Sequence, residues 1–152
     1  AVGSRAADNA ELRMRVLCTD RFHLVCPAAH PLATEPRLTL RKIQPFSFIH
    51  MTRNSSVRQA LEVALHPLAM NTVLEVEQLA TVMGMVEAGL GISVVPTLTL
   101  YQFRRETIAI RPLPLPQLTR RIYVVQRREG SLSAAAQGLH DMVVERLGSL
   151  SI

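Results

Sequence analysis

Tryptophan is absent from the chain and aromatic residues make up only 4% of it. A platform on which nucleic-acid bases could stack is therefore hard to build. Lysine is nearly absent too: all but one of the 17 basic side chains are arginine, spread along the sequence rather than gathered in a tract. The formal charge of +5 thus gives no argument for nucleic acid by itself, and a site for a small organic anion is the better use of it. The two cysteines, Cys18 and Cys26, form neither a CxxC pair nor a framework. They read as reduced packing thiols, with a disulfide or a sensor thiol as the lesser readings. No apolar run approaches the roughly 18–20 residues of a spanning helix, and the opening AVGSRAADNAELRMR holds no signal-peptide core. The expectation is a cytoplasmic protein with no membrane partner.

Catalytic and metal signatures are missing as well. His23, His30, His50, His66 and His140 are dispersed, with no pair at metal spacing. No Walker loop or nucleophile elbow is present, and the serines near His50 lack a partner acid. Gly89-Leu90-Gly91 follows a helix-like segment and precedes a strand-like one, the reverse of the order a dinucleotide fingerprint needs. The reading is no enzyme, no metal and no cofactor.

What remains is a chain of 152 residues, 48% hydrophobic, enough for a core. Arg13 to Leu17 looks extended, and Phe22 to Cys26 reads as a buried strand stopped by Pro27. His30-Pro31-Leu32-Ala33 is a turn, and Leu38 to Ile43 fits one helical turn. Phe46 to Met51 is a strand. The polar Thr52-Arg53-Asn54-Ser55-Ser56 then runs into a helical pattern at Val57, Ala60, Leu61, Ala64 and Leu65, with Asn54, Ser55 or Ser56 as its cap. Thr72 to Val76 is a further strand, Gln78 to Ala88 a helix ended by Gly89, and Leu90 to Val95 a buried strand. Thr97 to Phe103 reads as a short helix, and Ile108 to Leu113 as extended before the stiff Pro112, Pro114 and Pro116. Ile122 to Val125 forms a last strand and Ser133 to Leu147 a last helix. The alternation predicts an α/β protein with a mainly parallel sheet, whose ligand belongs beyond the carboxyl ends of the strands, at the topological switch point.

Taken in order, Phe22-His23-Leu24-Val25, His30-Pro31-Leu32-Ala33, Phe46-Ser47-Phe48-Ile49, the run from Val86 to Pro96 and Arg121-Ile122-Tyr123-Val124-Val125 resemble the effector-binding domain of the LysR-type transcription regulators. The resemblance covers nearly the whole chain. It implies a type II periplasmic-binding-protein-like α/β fold, with one complete lobe and part of a second. Residues 1–15 would be a remnant of the first lobe with the first crossing, 16–118 the complete second lobe, and 119–152 the return crossing with the first lobe's closing strand and helix. It further implies a small, anionic metabolite effector held in an inter-lobe cleft and a homo-oligomeric parent, dimer or tetramer. DNA would be read only by a winged helix-turn-helix that this chain lacks, so the chain is expected to be truncated at its N-terminus.

The effector-binding candidates are Thr52, Asn54, Ser55 and Ser56, because a helix start offers N–H donors and a positive dipole end to an acid. Plain helix capping is the competing explanation. The resemblance adds Ser4 and Arg5, the latter suited to a bidentate grip on a carboxylate, with a frayed terminus as the competing explanation. Gln78, at the opening of a helix, reads equally as an amide contact or as an ordinary solvent-facing residue. A stand-alone solute-binding protein and a pure oligomerisation module are the alternative functions. Met83 and Met85 read as core or dimer-face residues.

Overall fold

The computed structural model describes residues 1–3, 11–113 and 115–148. Its strands are β1 (Val2–Gly3), β2 (Leu12–Asp20), β3 (Phe22–Pro27), β4 (Phe48–Met51), β5 (Thr72–Val76), β6 (Ser93–Pro96), β7 (Ile108–Pro112) and β8 (Arg120–Arg127). The α-helices are α1 (Leu40–Ile43), α2 (Ser56–Leu65), α3 (Leu79–Glu87) and α4 (Ala134–Gly148). Short 3-10 helices cover Pro31–Ala33 and Thr97–Gln102. Two compact units emerge, one of residues 21–119 and one of residues 1–20 with 120–152. The division lies a few residues from the 15/16 and 118/119 boundaries expected from sequence, because β2 pairs with β8 from Leu12 to Asp20.

In the unit of residues 21–119, β6, β3 and β7 form one sheet with β3 central, and β4 and β5 form another. A bridge between Phe48 and Ile92 joins them, giving the order β5-β4-β6-β3-β7. The expectation of a mainly parallel sheet is corrected here. β4 runs parallel to β5 and, at the bridge, to β6, whereas β3 is antiparallel to both its neighbours. Parallel strands need a crossover, usually a helix. Only the connections through α2 and α3 are such helices of nine residues or more, and these link the parallel strands.

The core of this unit follows the helical and strand periodicities. α2 buries Val57, Leu61 and Leu65 along one face, α3 buries Val82 and Val86, and both close over strands whose residues Leu24, Val25, Phe48, Ile49 and Val95 are fully buried. Met83 and Met85 pack, partly buried, against this core. α3 stops at Gly89, whose φ of 77° is a left-handed conformation that glycine adopts without penalty. The Leu90 N–H donates back to the Met85 carbonyl at 3.0 Å. Leu90 itself is exposed and the strand begins at Ser93, later than the Leu90 start expected. Arg111 donates to the carbonyls of Leu32, Ala33 and Glu35, fixing the 3-10 turn onto β7.

The unit of residues 1–20 and 120–152 is antiparallel, in the order β1-β8-β2, with α4 packed against β2. Its buried apolar side chains are Leu17, Cys18, Ile122 and Val124, and the fully buried Asp20 carboxylate pairs with Arg120 at 3.0 Å.

Candidate functional site

β4 is buried along its whole length, so the chain emerges at Thr52. The Thr52 N–H donates to the Val76 carbonyl at 3.0 Å, which carries the parallel pairing one residue past the strand. A turn follows, in which the Ser55 N–H donates to the Thr52 carbonyl at 2.9 Å. Ser55 is the cap of α2: its backbone is extended and its Oγ accepts from the Val57 N–H at 3.2 Å. Arg53 and Asn54 are exposed, and Thr52, Ser55 and Ser56 half-buried. Four of the sequence-predicted residues therefore share one loop at a helix start, where the dipole and first-turn N–H groups favour an anion.

Gln78 lies after β5 as the residue preceding α3, exposed and with no side-chain capping bond. The predicted Ser4 and Arg5 fall outside the described residues.

Beneath the loop lies a polar cluster that sequence reading missed. Arg58, only 7% exposed, donates through Nε to Glu62 at 2.6 Å and through Nη1 to Glu75 at 3.1 Å and the Met51 carbonyl at 3.2 Å. It thereby fixes the last residue of β4, immediately before Thr52. Burial opposes its charge, but hydrogen bonds and charge from Glu62 and Glu75 more than offset that and hold the guanidinium protonated. The Arg58 hydrogen bond in turn keeps the Glu62 carboxyl below the usual range.

His50, on β4, is buried with its ring edge-on to Phe48, and its Nδ1 has no hydrogen-bond partner among the described residues. Burial, then the nearby Arg58 charge, pushes its pKa down to about 4. A neutral, enclosed imidazole and a serine engaged in capping are not an activated nucleophile and base. Both cysteines are free and buried. Burial raises the Cys18 thiol and pushes Cys26 up to about 11, which disfavours the reactive thiolate. Among the described residues no three His, Cys, Asp or Glu side chains gather where one metal ion could bind them.

A hollow of about 1160 Å³ belongs to the other unit and is lined by residues such as Val2, Leu12, Val125, Leu139 and Val143. Of the predicted site residues that are described, none lines it.

The family model described as the LysR substrate binding domain matches residues 1–148. The chain belongs to this family. Its curated relatives include the HTH-type transcriptional regulator YbhD of Escherichia coli K12, 29% identical over 90% of this chain and 44% of that protein. This LysR substrate-binding domain therefore spans about half the length of the curated relatives it matches. Among solved structures, it resembles the regulatory domain of Synechocystis PCC6803 CcmR in complex with 2-PG, at a TM-score of 0.83 and 20% identity, covering 98% of this chain and 73% of that one. The effector-binding domain of QuiR in complex with shikimate is similar at a TM-score of 0.79 and 18% identity, covering 95% and 69% of the two chains. These likenesses establish the expected type II periplasmic-binding-protein-like fold. The family is one of transcription regulators rather than enzymes, and no described helix is long and apolar enough to cross a membrane.

Proposed function

We propose that this LysR substrate-binding domain is the sensing part of a cytoplasmic transcription regulator and that it answers to a small anionic metabolite. The seat is built on Thr52, Asn54, Ser55 and Ser56, with Gln78, Ser4 and Arg5 as further contacts. The observation that supports it is the convergence of these four loop residues on the start of α2, at the carboxyl edge of a parallel strand pair. An acid placed there meets backbone donors and the positive end of the helix dipole without stranding a buried charge. The small-molecule complexes of CcmR and QuiR support the same class of role.

In the parent regulator, an effector that prefers one conformation shifts the population toward it, and through subunit contacts this changes how a homo-oligomer holds DNA. The DNA itself is read by a helix-turn-helix outside these residues.

A thermal-shift screen of the chain against small carboxylates, hydroxy acids, amino acids and aromatic acids tests this reading, since a ligand selective for the folded state raises Tm. A concentration-dependent rise with at least one acid is expected, together with an altered operator footprint when the same acid is added to the full-length regulator. No rise with any acid and an unchanged footprint would overturn it.

A further inference from the structure

β4, β5 and β6 run parallel, so the loops after Met51, Val76 and Pro96 emerge at one edge of the sheet. From that edge the chain leaves β4 toward β5 on one side, through α2, and leaves β6 toward β7 on the other, through the 3-10 helix Thr97–Gln102. Neighbouring strands whose onward connections depart in opposite directions define a topological switch point, the crevice where open α/β sheets take ligands. Here that crevice lies between the ends of β4 and β6.

The pairing of these two strands is short. Ile92 N–H donates to the Ser47 carbonyl at 2.9 Å and Ile49 N–H to the Ile92 carbonyl at 2.8 Å. At the next position a side chain takes over, the buried Ser93 Oγ donating to the Ile49 carbonyl at 2.7 Å. Among the described residues no backbone hydrogen bond joins β4 to β6 beyond this point. The sheet is thus unzipped toward the edge where Thr52 emerges.

The β6 side of the crevice carries its own polar pair. Thr97 Oγ1 lies 3.2 Å from His23 Nδ1, both half-buried, and the Thr97 N–H is anchored on the Arg21 carbonyl at 2.9 Å. His23 is near the start of β3, which runs antiparallel beside β6 and so begins at this same edge. A hydroxyl and an imidazole can each donate or accept, which suits a neutral hydroxyl or carbonyl group better than a charge.

We infer that Thr97, supported by His23, is a specificity-determining wall that binds a hydroxyl or carbonyl of the effector while the loop at Ser55 holds its acid group. The ligand class is then a hydroxylated or keto carboxylic acid. This rests on the proposed seat at Thr52 to Ser56.

The test titrates the full chain and its Thr97→Val and Thr97→Ser variants with matched acids: shikimate against cyclohex-1-ene-1-carboxylate, 4-hydroxybenzoate against benzoate, and lactate against propionate. The wild type binds the hydroxylated member of at least one pair more tightly. Thr97→Val removes that preference, weakening the hydroxylated acid roughly three- to tenfold, the worth of one hydrogen bond, and leaving the other acid unchanged. Thr97→Ser, which keeps the hydroxyl, keeps the preference. An unchanged ratio in Thr97→Val, or equal loss for both members, overturns the inference and leaves the seat standing. No binding of any acid to the wild type removes the seat and this wall with it.

Discussion

His50 is 4% exposed and faces Phe48, Arg58, Glu62 and Glu75. Its folded pKa of about 4 lies below the ~6.5 of an unfolded histidine. Between those values the unfolded chain takes up a proton that the folded chain refuses. Its contribution is therefore full above pH ~6.5, is lost as pH falls toward about 4, and is flat below. The total is at most about 3 kcal/mol. His50→Leu should flatten the pH dependence of stability in that window, leaving the carboxylate-driven loss below pH ~4.5, as urea denaturation at a series of pH values would reveal. An unchanged slope would mean that the imidazole is charged, or wet, in the folded protein.

Arg58 makes the second argument at this scale. Arg58→Met keeps the apolar stem but removes every donor. Glu62 and Glu75, with side chains 53% and 43% exposed, turn to water, while the buried Met51 carbonyl loses its Arg58 donor. A loss of about 1–3 kcal/mol is expected, and the Glu62 pKa, followed by NMR, should rise toward its ordinary value. Arg58→Lys should restore only part of the loss, because an ammonium cannot reproduce a planar fork that reaches Glu62, Glu75 and the Met51 carbonyl together. Full restoration would reduce Arg58 to a point charge. Neither role was legible in the sequence: Arg58 falls between Val57 and Gln59 on a helix and reads as a solvated side chain, and a lone histidine in an apolar strand says nothing about its partners.

Among the elements, the helices were the readable part. Val57, Leu61 and Leu65 repeat at the spacing that makes a buried face, and the serines before them announced a start that the folded chain fixes at Ser55. Gly89 was legible as a left-handed cap for the same local reason. Strand direction was not, because alternation and burial record how a strand packs and not which neighbour it joins. The meeting of β4 and β6 depends on Gly91, where an added Cβ would lie 2.6 Å from the Ser47 carbonyl oxygen, a backbone atom with little room to yield. Gly91→Ala should cost roughly 1–3 kcal/mol through overpacking. Gly84, exposed in mid-α3 with nothing within 4 Å of an added Cβ, is the matched comparison. Gly84→Ala should stabilise by about 0.5–1 kcal/mol. If both variants had the same Tm, the close approach at Ser47 would have no energetic weight.

At the scale of the whole molecule, the family resemblance carried the fold, since its ordered segments run nearly from end to end, whereas the position of the switch point needed the strand order itself. Thr97 and His23 are 74 residues apart and meet only because β3 lies against β6. The two compact units also differ in what holds them. The large buried cluster, from Phe22 to Leu118, lies wholly within residues 21–119. Among its described residues the other unit buries only Leu17, Cys18, Ile122 and Val124 as apolar side chains, and leaves Leu139 and Met142 of α4 exposed. Local opening is easiest where few apolar contacts are lost. Native-state hydrogen exchange should therefore find the amides of β3, β6 and α3 the most protected. Those of α4 should open at a free energy lower by on the order of 2 kcal/mol or more, the burial of about one Leu or Val side chain. Equal protection across both would mean that the chain unfolds as one cooperative body, and that α4 draws its stability from contacts beyond the strands of its own unit.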